Sequence, residues 1–125
     1  MKRFLVLEAD PDVRKSACRL LTSLGHQVSI AQSNDEVLTL IEKLKPDHFD
    51  VALIDGSLET EKFKAKSMDT KPSITALRES GVPVIVEFSG NDLISEQLMK
   101  AGCTVSLGGT KLLTVERIAQ FVAQS

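Results

Sequence analysis

The sequence predicts an α/β fold, a doubly wound sheet of five parallel strands covered by helices on both faces to give three layers. Two observations predict it. Three short apolar runs, Phe4–Leu7, Val51–Ile54 and Val82–Val86, are rich in branched side chains and bounded by charged or turn residues, the pattern of strands buried on both faces. Helical periodicities with capping signals fill the gaps between them, so strand and helix alternate along the chain. With 125 residues, 42% of them hydrophobic, there is material for one domain spanning residues 1–125 and not for two.

The elements follow in order. Phe4–Leu7 is the first strand. Asp10 then offers an N-cap with Pro11 at the first helical position. Val13, Cys18, Leu20, Leu21 and Leu24 make a helical apolar face that Gly25 ends. Gln27–Ala31 is a weaker strand candidate. Ser33 and Glu36 form a capping box that opens a helix through Val37, Leu40, Ile41 and Leu44, with Pro46 as its stop. Val51–Ile54 follows. The polar, lysine-rich stretch from Gly56 to Lys71 has no periodicity and reads as a long solvated loop, the expected mobile segment. Ser73–Glu79 is a third helix closed by Gly81, and Val82–Val86 the fourth strand. Asp92–Ala101 is a fourth helix closed by Gly102. Cys103–Leu107 is a weak fifth strand, and Val115–Ala123 a last helix behind Thr114. The two cysteines, Cys18 and Cys103, sit in apolar settings without zinc-type spacing and are expected as buried free thiols.

Right-handed crossovers give this alternation the flavodoxin-like strand order 2-1-3-4-5. In that order the functional crevice lies beyond the carboxyl ends of strands 1 and 3. Composition narrows what the crevice serves. A net charge of -2 lacks the basic stripe of a nucleic-acid binder. No apolar run reaches the length of a membrane span, and the run at the start stops at Glu8, too short for a signal peptide. A cytoplasmic protein is expected. Glu8, Ala9 and Asp10 follow strand 1 and Asp55 follows strand 3. Three carboxylates thus converge on one sheet edge, an arrangement that calls for a cation or a proton. Glu87 follows strand 4 and would face the crevice or solvent. His26 and His48 sit in turns before strands and read as structural. No nucleophile–base pair is visible, which argues against an enzyme.

The stretches Phe4–Pro11, Leu24–Val28, Lys45–Asp55 and Val82–Val86, with Ala101-Gly102-Cys103 leading into the fifth strand, resemble a response-regulator receiver domain along essentially the whole chain. The resemblance implies phosphorelay signal transduction. Asp55 would accept a phosphoryl group from a sensor histidine kinase or phosphotransfer protein, and an acidic pair after strand 1, here Glu8 with Asp10, would bind Mg²⁺. A hydroxyl after strand 4 and a lysine after strand 5, here Ser89 and Lys111, would read the phosphorylated state. A partner or a second copy would dock on the face of the fourth helix, fifth strand and fifth helix, about Leu93, Met99, Val105, Val115 and Phe121.

The departures point to an atypical member. Ala9 stands where the family has its second carboxylate. The hydroxyl position falls on Phe88, with Ser89 one residue late, and the lysine–proline pair becomes Gly109-Thr110, with Lys111 after it. The aromatic switch becomes Ser106, and the loop after Asp55 lacks the usual Pro and Asp-Gly. Phosphate on Asp55 would add roughly two negative charges beside Glu8 and Asp10, with neither a well-held metal nor an ammonium to offset them. The expected outcome is a weakened or lost phospho-switch and a domain acting through protein contacts. The alternative is a small-molecule or cofactor-binding domain of the same fold. The acidic, stiff Glu8–Pro11 segment is the opposite of the glycine-rich phosphate loop that would favour it. The pair Gly108-Gly109 resembles a cobalamin-binding domain only weakly, since the early Asp-x-His-x-x-Gly loop of that family is absent.

Overall fold

A computed structural model of the chain describes residues 1–56, 70–108 and 110–125. The expected loop over Gly56–Lys71 lies largely outside the described residues. The strands are β1 (Arg3–Leu7), β2 (Gln27–Ala31), β3 (Val51–Ile54), β4 (Val84–Glu87) and β5 (Val105–Ser106). The helices are α1 (Pro11–Ser23), α2 (Asn34–Leu44), α3 (Lys71–Glu79), α4 (Asp92–Ala101) and α5 (Val115–Gln124). The strands are all parallel, in the order β2-β1-β3-β4-β5.

Alternation along the central strands divides the core in two. Leu5, Leu7, Ala52, Ile54 and Ile85 pack on one face against α2, α3 and α4. Phe4, Val6, Val51, Leu53 and Val86 pack on the other, with Ala17 and Leu21 of α1 and Ile118 and Phe121 of α5. This two-sided burial explains why β1, β3 and β4 read as unbroken apolar runs.

The caps are as the sequence predicts at three helices. Asp10 accepts from the Asp12 N–H at 2.9 Å, Ser33 from the Glu36 N–H at 3.2 Å and Thr114 from the Arg117 N–H at 3.1 Å. Three boundaries differ for identifiable reasons. The Val82 N–H closes α3 by donating to Leu77 O at 3.1 Å, and Pro83 has no N–H to give, so β4 begins at Val84. At the fifth strand, the Cys103 N–H is drawn to Leu98 O at the end of α4 and the Leu107 N–H to a side chain of β4, which leaves β5 two residues long. The third helix starts at Lys71, ahead of the expected Ser73, because Pro72 fits its first turn. Cys103 is buried, but Cys18 is partly exposed and so departs from its expected burial. The inner face of α1 centres on Ala17 and Leu21 instead.

Candidate functional site

The crevice forms where β1 and β3 end. The Asp55 N–H donates to Leu7 O at 2.9 Å and the Phe88 N–H to Ile54 O at 2.8 Å. Ladder bonding thereby carries on past the strand ends and fixes the side chains that follow. Glu8, Ala9, Asp10, Pro11, Asp12, Asp55, Ser89 and Lys111 line a cleft of about 620 Å³.

Lys111 joins two of its acids. Its Nζ is 2.7 Å from Glu8 Oε1 and 3.5 Å from Asp55 Oδ2. The Glu8 side chain is 1% exposed and that of Lys111 27%, so a buried carboxylate is balanced by a cation reaching in from the rim. The ammonium stands 5.8 Å from the Phe88 ring centroid, within range of a cation–π attraction. The lysine stem runs past Gly90, where a Cβ would come within 3.1 Å of Lys111 Cγ. The expectation that no ammonium offsets charge at Asp55 is therefore corrected. By position along the chain Lys111 comes late, but a side chain of that length reaches Glu8 from there. Gly109, the residue in the family's lysine position, lies outside the described residues.

The remaining candidates are placed as follows. Asp10 borders the cleft, but its side chain is engaged as the cap of α1, and its own N–H donates to Glu8 Oε2 at 3.0 Å. Arg14 donates to the carbonyls of Glu8 and Ala9 and holds this turn down. Ser89 borders the cleft as well, with its hydroxyl at 3.2 Å from Glu87 Oε1 and 3.1 Å from Asn91 O. Phe88, at the family's hydroxyl position, is buried against the α1–α5 side.

These residues do not fit Mg²⁺. A hard divalent ion takes several oxygen ligands. Here Glu8 gives one oxygen to Lys111 and the other to a backbone N–H, Ala9 gives no side-chain oxygen, and Asp10 caps a helix. The cleft's other carboxylates are Asp55, 3.5 Å from the Lys111 ammonium, and the exposed Asp12. Among the described residues no group of three His, Cys, Asp or Glu side chains could hold a metal ion.

A second carboxylate, Glu87, is wholly buried at the end of β4, pointing neither into the crevice nor to solvent as the sequence reading allowed. Its Oε2 accepts from the Ser95 hydroxyl at 2.5 Å, the Ser106 hydroxyl, the Leu107 N–H at 2.9 Å and the Gly108 N–H at 3.1 Å. Its Oε1 accepts from the Ser89 N–H and hydroxyl, both at 3.2 Å. Burial by itself would raise its pKa, but the hydrogen bonds from Ser106, Ser95 and Ser89 outweigh it and hold the carboxyl below the ordinary glutamate value. Burial, assisted by this charge, pushes the Cys103 thiol up to about 12. The signal in the sequence was a lone acid ending an apolar strand, with serines at 89, 95 and 106 to receive it.

The expected docking face is reduced. Leu93 and Val115 are exposed, at 66% and 49%. Met99 and Val105 are half-buried against the two cores. Phe121 is in the core, 1% exposed, because it lies three residues after Ile118 on the inner face of α5.

No protein-family model and no curated protein matches the chain. Solved structures do match it. A response regulator receiver domain (CheY-like) from Methylobacillus flagellatus aligns with a TM-score of 0.73 at 16% identity, over 98% of this chain and 97% of that one. The BeF3-activated N-terminal receiver domain of Klebsiella pneumoniae RstA gives 0.74 at 18%, over 98% and 97%. A response regulator protein from Burkholderia pseudomallei, with a phosphorylated aspartic acid, calcium ion and citrate, gives 0.74 at 23%, over 100% and 67%. The likeness is one of fold, and the fold is that of the response-regulator receiver domains. No described helix is long and apolar enough to cross a membrane.

Proposed function

We propose that this receiver-fold domain serves phosphorelay signal transduction as a protein-interaction module, with Asp55 at the acceptor position and Lys111 in the part usually taken by a divalent cation. One observation carries the reading: the Lys111 ammonium lies 2.7 Å from Glu8 and 3.5 Å from Asp55, in a cleft where Asp10 caps α1 and the second oxygen of Glu8 accepts a backbone N–H. Phosphoryl transfer depends on positioning and on neutralising the charge of the transferred group. One ammonium already committed to a buried glutamate offers less neutralisation than a metal ion with open positions. The domain then acts by docking, not by catalysis, and its partner is a sensor histidine kinase or phosphotransfer protein. A small-molecule function is disfavoured by the cleft itself, whose charged lining is Glu8, Asp10, Asp12 and Asp55 against Lys111 alone, a surface that repels nucleotide phosphates.

The test is intact-mass analysis of the full chain after incubation with acetyl phosphate, with and without Mg²⁺. The expected result is little or no phosphoryl adduct and no difference between the two conditions. Stoichiometric, Mg²⁺-dependent labelling that Asp55→Asn abolishes would overturn the reading and make the domain a working phospho-switch.

A further inference from the structure

The network around Glu87 has no part in the function proposed above, and it joins three elements. Ser95 belongs to α4, Ser106 ends β5, and Ser89 follows β4 and borders the cleft. The Leu107 N–H donates to Glu87 Oε2, and the Gly108 N–H is shared between that oxygen at 3.1 Å and Ser106 Oγ at 2.9 Å. Gly108 has φ +74°, a conformation that glycine adopts without strain. Successive N–H groups arranged around a left-handed residue form a concavity that binds anions. Two serine hydroxyls complete it. Among the described residues no ion pair involves Glu87, so this buried charge is balanced by hydrogen-bond donors alone, and Oε2 accepts four of them.

We propose that the β4–α4–β5 corner is an anion site permanently filled by the chain's own Glu87, and that this internal ligand fixes the α4–β5 face in one arrangement whatever the state of Asp55. The inference rests on the reading of the domain as an interaction module, to which it adds the residue that positions the docking face. Ser89 is where the two sites meet. Its hydroxyl is shared between Glu87 Oε1 and Asn91 O, so the hydroxyl nearest the cleft is already held by the corner.

Chemical rescue tests it. Glu87→Ala in the full chain empties a space the size of acetate. The expected result is a melting temperature lower by roughly 5–10 °C and displacement of the Ser95, Ser106, Leu107 and Gly108 amide signals in a ¹H–¹⁵N spectrum. Sodium acetate should restore both, while sodium chloride at equal ionic strength should not. Acetate acting no better than chloride, or stabilising the parent protein equally, would overturn the proposal. If Glu87→Ala does not fold in buffer, refolding yield in acetate against chloride makes the same comparison. Glu87→Gln, which keeps one acceptor oxygen, should show the same four amides displaced with a smaller loss of melting temperature. In a separate arm, beryllofluoride with Mg²⁺ is added to the parent. The four amides should stay in place, and their movement would overturn the claim of a fixed face even if acetate rescue succeeds. Mg²⁺-dependent labelling of Asp55 would defeat the functional reading alone, since the acetate comparison is decided independently of it.

Discussion

At the scale of single residues, charge placement in the cleft decides stability. Three carboxylates without a cation would repel, and on that expectation Asp55→Asn should stabilise the chain. With Lys111 in place the ranking changes. Lys111→Met strands a glutamate that is 1% exposed and should cost about 2–3 kcal/mol, less than a fully enclosed pair because the lysine is partly solvated. Asp55→Asn, at the longer contact of 3.5 Å and with an amide of the same shape in place of the carboxylate, should cost less than Lys111→Met. Urea melts of both variants check the order, and a stabilising Lys111→Met would contradict the geometry. Glu87 gives a second prediction, through pH. Its folded pKa is lowered, so its contribution is fully present above the ordinary value of 4.5 and disappears as the pH falls through the folded value. The melting-temperature deficit of Glu87→Gln should therefore be constant near neutrality and shrink below that range. Sequence order named Asp55, Glu8, the alanine at position 9 and Lys111 as candidates. It did not convey that the Lys111 ammonium meets Glu8, because the reach of a long side chain is not a spacing along the backbone.

At the scale of elements, the caps at Asp10, Ser33 and Thr114 were legible because an N-cap is a local bond between a side chain and the backbone two or three residues on. The limits of β4 and β5 were not, since they depend on where N–H groups find distant acceptors. The expected docking surface failed at Phe121 for a related reason: an apolar residue in an amphipathic helix is assigned to core or surface only when the inner face is known. Packing between elements is testable at Gly56, which is buried where β3 leaves the sheet. A Cβ there would lie 2.0 Å from Ile94 Cγ2 and 3.2 Å from Leu98 Cδ1 on α4. Gly56→Ala should cost about 1–3 kcal/mol. Adding Ile94→Ala, which removes the clashing methyl, should make the double variant more stable than the sum of the two single changes predicts. Simple additivity in thermal melts would mean that α4 moves aside freely.

At the scale of the whole molecule, strand order and layering were readable because two-sided burial leaves a continuous apolar signature in three of the five strands. The edge strands β2 and β5 were weak in the sequence for the same reason, having only one neighbour to cover them. What the pattern could not convey is that the carboxyl end of the sheet carries two separate acidic centres, one balanced by a lysine and the other by hydrogen-bond donors. The two thiols offer a way to follow the second. Cys18 is partly exposed on α1, whereas Cys103 is buried beside Glu87 with its pKa raised to about 12. Because the thiolate is the nucleophile, a maleimide at neutral pH should modify Cys18 promptly and Cys103 only when the end of α4 swings open. The slow phase of labelling then becomes a clock for that opening. It should tick faster in Glu87→Ala and slow again in acetate, so a two-cysteine chain without tryptophan or tyrosine carries its own reporter of local breathing.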